Sequence, residues 1–134
     1  MNVNSPQQIV SVENPLEYHC RLWGYIPGHS QLLVRVYKDD FLGKDVFFLT
    51  FESVGYWQGP VGWKGVDFSL GTVEEAMGII RKANFAVHPE LIGEFLQVHH
   101  LFKIDRPDCQ VCIFANRFEK LWEVPEMFKG ISSM

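Results

Sequence analysis

Residues 46–70 read VFFLTFESVGYWQGPVGWKGVDFSL, and Gly71-Thr72-Val73-Glu74-Glu75 follows them directly. Aromatic and β-branched residues favour strands, and residues 46–53 are apolar on both faces of such a strand, which predicts a central or covered position in a sheet. Glycines and one proline interrupt the stretch, and a further strand is predicted at 63–70. Because Thr72 is followed three residues later by Glu75, the sequence predicts a helix over 73–86.

Two strands are predicted before this stretch and two after it. Alternating apolar residues indicate strands at 17–26 and 32–38, and again at 98–104 and 110–118. A second, short helix is expected to begin at Pro89, which suits a first helical position. The resulting order, ββββααββ with short connections, predicts an α+β fold in which a mainly antiparallel sheet packs against one long and one short helix.

The first two strands are expected to form a hairpin through a five-residue loop at 27–31. This loop length keeps both apolar faces on one side of the sheet, since a shift of one residue would turn every side chain over. It places Trp23 opposite Arg35 and Arg21 opposite Tyr37. The outer face would then present a group of cationic and aromatic side chains, namely Arg21, Trp23, Tyr25, Arg35 and Tyr37. Such groups bind anionic or planar molecules or form interfaces, although ordinary cross-strand packing also accounts for them.

Length and composition indicate one globular domain covering residues 1–134, with 1–15 and 129–134 expected to fray. Hydrophobic residues make up 47% of the chain and charged residues 21%, which is sufficient for a packed core. The net charge is −4, and Lys and Arg do not form runs. We therefore expect no general nucleic-acid binding, because binding to phosphates normally requires a basic stripe.

The sequence also bears on the compartment. The first fifteen residues combine neither a basic segment nor a continuous apolar segment, and the longest unbroken apolar run, 46–49, is too short to span a membrane. Three cysteines without a secretion signal are typical of a reducing environment. These observations predict a cytoplasmic protein that does not bind membranes.

Cys109-Gln110-Val111-Cys112 is the sharpest local motif, and together with His99 and His100 it offers ligand types that zinc prefers. The motif lies in a predicted strand, where the first and fourth residues point to opposite faces. A structural zinc site also normally has a second cysteine or histidine pair at fixed spacing. These four residues are therefore only weak metal candidates, and we expect no metal or cofactor.

His99 and His100 give little support for a catalytic role. His100 is in phase with Phe102 and Ile104, which predicts that it lies on a sheet face while His99 is exposed. Neither histidine has a recognisable nucleophile nearby in the sequence. The glycines at 55, 59, 62 and 65 lie in an aromatic stretch that runs into the predicted strand 63–70, whereas a phosphate-binding loop requires a following helix. We therefore favour a protein that is not an enzyme.

Aromatic residues make up 14% of the chain, more than a minimal core needs. Besides the hairpin residues, the excess is concentrated at Tyr56, Trp57 and Trp63. The leading hypothesis is a non-enzymatic protein-interaction or regulatory module, homodimeric through an aromatic sheet face. The alternative is a small-molecule-binding or enzymatic α+β domain with a pocket where residues 55–65 meet the helices.

Overall fold

The computed structural model describes residues 8–38, 46–83 and 87–128. Within these ranges the chain forms strands β1 (Tyr18–Ile26), β2 (Gln31–Lys38), β3 (Val46–Glu52), β4 (Tyr56–Gln58), β5 (Gly62–Lys64), β6 (Ser69–Leu70), helices α1 (Val73–Lys82) and α2 (Ile92–Val98), and strands β7 (His100–Arg106), β8 (Cys109–Ala115) and β9 (Arg117–Leu121). The predicted α+β class, with mainly antiparallel pairing and one longer and one shorter helix, is confirmed.

The strands form two sheets rather than one. Sheet 1 has the order β5-β1-β2-β3-β9 and sheet 2 the order β4-β8-β7-β6, and every pair is antiparallel. Side chains from both sheets share one apolar cluster, in which Phe51 of β3 lies 5.5 Å from Phe102 of β7 between ring centroids. The core therefore lies between the two sheets, and α1 packs on the far side of sheet 2 through Ala76 and Ile80.

Two stretches predicted as single strands pass from one sheet to the other. Residues 63–70 contain β5 in sheet 1 and β6 in sheet 2, with Gly65 at φ +106° in the segment between them. Residues 110–118 likewise divide at Asn116 into β8 and β9. The apolar pattern continues through the first crossing because Val66 and Phe68 are fully buried between the sheets. The alternation of apolar residues therefore predicted a single strand in each of these stretches, where the structure has two.

At the end of the first hairpin away from its turn, the predicted pairing of β1 with β2 is wrong by two residues. Arg21 lies opposite Arg35 and His19 opposite Tyr37, and a β-bulge occurs at Trp23. A bulge adds one unpaired residue to a strand and reverses the alternation beyond it. As a result Tyr25 pairs with the core-facing Leu32, so it lies on the inner face of sheet 1 instead of the outer one.

Strand β3 is covered on both faces, as predicted from its sequence. On its inner face Leu49 is fully buried in the shared core. On its outer face Phe48 packs with Leu33 and with Phe128, which is 2% exposed. The short 3-10 turn Glu126–Phe128 thus covers part of the outer face of sheet 1.

The described residues nearest the amino terminus pack into the core. Val10 is 1% exposed in the shared core, and the Ile9 N–H donates to the Phe68 carbonyl at 3.2 Å. Residues 8–12 therefore pack against the crossing between β5 and β6. Residues 1–7 and 129–134, where fraying is expected, lie outside the described part of the chain, as do 84–86 at the predicted end of the first helix.

Helix α1 begins at the predicted capping box. The Glu75 N–H donates to Thr72 Oγ1 at 3.1 Å, and the Thr72 N–H donates to Glu75 Oε1 at 2.9 Å. Glu75 Oε2 also accepts a hydrogen bond from Lys103 Nζ at 2.8 Å. The Lys103 hydrogen bond, followed by that from Thr72, lowers the pKa of the Glu75 carboxyl below its ordinary value of 4.5.

This arrangement predicts an acid-dependent contribution from Glu75. Because its pKa is lower in the folded chain, the stabilisation is present above about pH 4.5 and is lost as the pH falls through the folded value. Glu75→Gln is expected to lower the free energy of unfolding by less than about 1 kcal/mol at neutral pH, since the side chain is solvent-screened. Urea unfolding across pH tests this: the difference from the wild type should vanish in acid, and a constant difference would contradict it.

Candidate functional site

An apolar pocket opens between the two sheets at one end of the sandwich, and we call it the end pocket. Its volume is about 320 Å³. Sheet 1 contributes Leu22, Tyr25 and Leu32, and the segment that crosses into β4 contributes Val54, Gly55, Tyr56 and Trp57. The end pocket therefore forms where the chain leaves β3 and enters sheet 2.

Backbone hydrogen bonds hold this crossing in place. The Val54 N–H donates to the Ser30 carbonyl at 2.8 Å, next to the first hairpin turn. The Gly55 N–H donates to the Phe114 carbonyl of β8 at 2.9 Å. Since one bond reaches each sheet, the wall of the end pocket is anchored on both sides.

The polar groups of the end pocket are few. Tyr56 borders the end pocket, but its ring packs in the cluster beneath α1, where its hydroxyl donates to Gln58 Oε1 at 2.9 Å and Lys82 Nζ donates to the same oxygen at 3.1 Å. The Trp57 indole nitrogen is buried and has no acceptor among the described residues. The lining side chains include no His, Cys, Asp, Glu, Lys or Arg. This composition suits binding of an apolar group rather than acid–base chemistry.

The bulge at Trp23 separates the predicted hairpin group. Tyr25 is turned into the end pocket, where it is 40% exposed, and it joins Tyr56 and Trp57 there. Arg35 remains on the outer face, with its guanidinium carbon 4.5 Å from the Tyr37 ring centroid and 5.4 Å from that of Trp23. The eight predicted binding residues thus belong to different surfaces.

Trp63, the last of the eight, belongs to the core. It is 8% exposed, its ring centroid lies 6.3 Å from that of Phe68, and its indole N–H donates to the Gly65 carbonyl at 3.0 Å. Its aromatic surface is used for packing across the β5 crossing. Sequence reasoning also missed the aliphatic walls of the end pocket, Leu22, Leu32 and Val54, because isolated aliphatic residues give no signal of a cavity.

The cysteine motif spans the two sides of sheet 2, as its strand position predicts. Cys109 packs against the shared core and Cys112 against the cluster beneath α1. All three cysteines are free, and burial raises the pKa of the Cys112 and Cys20 thiols. These two thiols therefore stay protonated and are poor nucleophiles at neutral pH.

The two histidines lie at the start of β7. The His99 ring stacks on Phe95 with 4.0 Å between centroids, and its Nδ1 lies 3.1 Å from the Phe95 carbonyl oxygen. His99 is half-buried, so the prediction that it is exposed is wrong; the aromatic side chain of α2 covers it. His100 lies 6.2 Å from Phe102 between ring centroids. Within 8–38, 46–83 and 87–128, no three His, Cys, Asp or Glu side chains are placed to hold a metal ion.

Comparison with protein-family models, with curated proteins and with solved structures finds no match to this chain. No helix in the described ranges is long and apolar enough to cross a membrane. The function must therefore be inferred from the surfaces of the molecule itself.

Proposed function

We propose that the protein is a non-enzymatic binding module whose end pocket takes a small, planar, apolar molecule. The observation that supports this proposal most directly is the end pocket itself, in which aromatic and aliphatic side chains from both sheets converge. Apolar clefts with few polar groups are the usual form of small-ligand sites.

The volume of the end pocket indicates the size of its ligand. An engineered apolar cavity of about 150 Å³ in another protein binds benzene. At about 320 Å³ the end pocket has roughly twice that capacity, which suits a molecule of two fused rings. A ligand that also placed an oxygen near the Trp57 indole N–H would pair a donor that has no acceptor in the described part of the chain.

Naphthalene is the matched probe for this proposal. We expect it to shift the backbone amide NMR signals of residues 54–57 in a saturable manner, because burial of its rings removes apolar surface from water. Val54→Trp would fill the end pocket and should weaken binding at least about tenfold. Val61→Trp is the matched control: Val61 is 55% exposed and does not line the end pocket, so affinity should stay unchanged.

Two results would contradict the proposal. One is that naphthalene leaves the 54–57 signals unchanged up to its solubility limit, and the other is that both tryptophan variants weaken binding equally. The second outcome would indicate general adsorption to apolar surface. Circular dichroism of each variant separates loss of binding from loss of the fold.

A protein partner, including a second copy of the chain, is the second candidate. Leu70, Val73 and Val98 are 50%, 60% and 50% exposed, and the first two border a groove with Leu96 beside α1. Exposed apolar clusters of this kind often mark interfaces. Sedimentation equilibrium at high micromolar concentration distinguishes the candidates, because a homodimer would sediment at twice the monomer mass and a Val73→Lys variant would not.

The cysteines favour a cytoplasmic location, which we include in the proposal. Cys20, Cys109 and Cys112 are all unpaired. Free thiols in a small protein are typical of a reducing compartment. The proposed binding function requires no cofactor.

A further inference from the structure

The outer face of sheet 1 carries the cationic side chains Arg21, Arg35 and Lys64 next to His19, and we call these four residues the cationic patch. In the strand register His19 lies opposite Lys64, and Arg21 lies opposite Arg35. Like charges placed directly opposite each other on one sheet face are destabilising. Two arginines are thus brought face to face on a chain whose net charge is −4.

Aromatic side chains contact two members of the cationic patch, His19 and Arg35. The Tyr37 ring stacks on His19 with 5.4 Å between centroids and also contacts the Arg35 guanidinium at 4.5 Å. Arg35 lies against Trp23 as well, at 5.4 Å from its ring centroid. Cation–π contacts hold a guanidinium without neutralising its charge. Among the described residues, neither Arg35 nor Lys64 has a carboxylate partner.

A recess lies beside these cations. It has a volume of about 330 Å³ and is bordered by His19, Arg21, Tyr37 and Lys64. Gly62 lies opposite Arg21 in the edge strand β5, so no side chain stands over the recess at that point. The recess therefore gives an incoming group access to cationic side chains from two neighbouring strands.

We propose that the cationic patch binds the phosphate group of a small phosphorylated molecule. Guanidinium groups pair with phosphate oxygens through two parallel hydrogen bonds, and a lysine adds a compact positive charge. A dianionic group matches two arginines and a lysine better than a single carboxylate does. A single-stranded nucleic acid fits less well, because it needs open aromatic faces for successive bases, whereas the Tyr37 ring already contacts His19 and Arg35.

The proposal is independent of the end pocket, because none of the four residues of the cationic patch borders it. Inorganic pyrophosphate is the probe. At low salt we expect it to bind saturably by calorimetry and to shift the amide signals of residues 19, 21, 62 and 64. Arg21→Gln should weaken this binding at least about tenfold, since it removes a charge-assisted, paired hydrogen bond. Arg81→Gln, an exposed arginine on α1, should change it less than about twofold.

Three results would overturn the proposal. The first is a failure of pyrophosphate to bind saturably. The second is equal weakening of binding by both arginine variants, which would indicate general charge attraction. The third is tighter binding of the wild type to single-stranded oligonucleotide, or to vesicles containing phosphatidic acid, than to pyrophosphate. If Arg21→Gln fails to fold, Lys64→Gln replaces it, because Lys64 is exposed and has no ion-pair partner among the described residues.

Discussion

Replacing Phe51 with alanine is expected to lower the free energy of unfolding by about 3–5 kcal/mol. Phe51 is 1% exposed and joins the two sheets. Its ring centroid lies 5.5 Å from that of Phe102 in sheet 2, 5.7 Å from that of Phe68 and 6.1 Å from that of Phe118. Alanine would remove contacts with β7, with β9 and with the segment between β5 and β6, and it would leave a cavity at their junction. Domains of this size are stable by only about 5–15 kcal/mol, so the variant would be marginal.

Urea unfolding followed by tryptophan fluorescence measures this effect. Trp122→Ala is the control, because Trp122 is 68% exposed and its truncation should cost less than about 1 kcal/mol. A loss below about 1 kcal/mol for Phe51→Ala would mean that the two sheets do not share a core at this point.

Gly65→Ala is expected to lower the free energy of unfolding by at least about 2 kcal/mol. The φ of Gly65 is +106°, which a residue with a Cβ rarely adopts. An added Cβ would also lie 2.6 Å from Asp67 Oδ1 and 2.8 Å from Arg106 Nη1. These two side chains form an ion pair with 3.6 Å between Arg106 Nε and Asp67 Oδ2. The substitution would therefore strain the backbone and displace a mostly buried ion pair.

Gly78→Ala is the matched control for this prediction. Gly78 lies inside α1, and a Cβ there would meet nothing within 4 Å. Alanine is favoured over glycine in a helix interior, so this variant should gain about 0.5–1 kcal/mol. The same chemical change would then have opposite signs at the two positions. Equal stability of Gly65→Ala and the wild type would show that the β5 crossing tolerates a side chain.

The elements with strong local signals were predictable from the sequence. Thr72 and Glu75 form the expected capping box, and β3 is buried on both faces as its apolar pattern indicates. The division into two sheets was not predictable. Val66 and Phe68 are buried where the chain passes from β5 to β6. Their apolar side chains therefore continue the alternating pattern of β5 after that strand has ended.

The candidate sites depend on structural features for which the sequence gives only weak signals. Tyr56 and Trp57 were identified from the aromatic excess and Tyr25 as part of the outer hairpin group, but Tyr25 reaches the end pocket because of the bulge at Trp23. Gly24, which follows Trp23 inside the strand, is the one sequence signal of the bulge, and it was not used in predicting the register. The resulting shift of one residue moves Tyr25 to the other face. The opposition of Arg21 and Arg35 follows from the same register and was missed for the same reason.

The central claim is that the end pocket binds a small planar apolar molecule, and intermolecular NOEs from bound naphthalene test it most directly. Leu22, Leu32 and Val54 supply methyl groups to the pocket walls from both sides. The proposal predicts NOEs from the ring protons to all three residues, which are reduced in Val54→Trp. NOEs confined to Leu70 and Val73 beside α1, or none at saturating naphthalene, would contradict it.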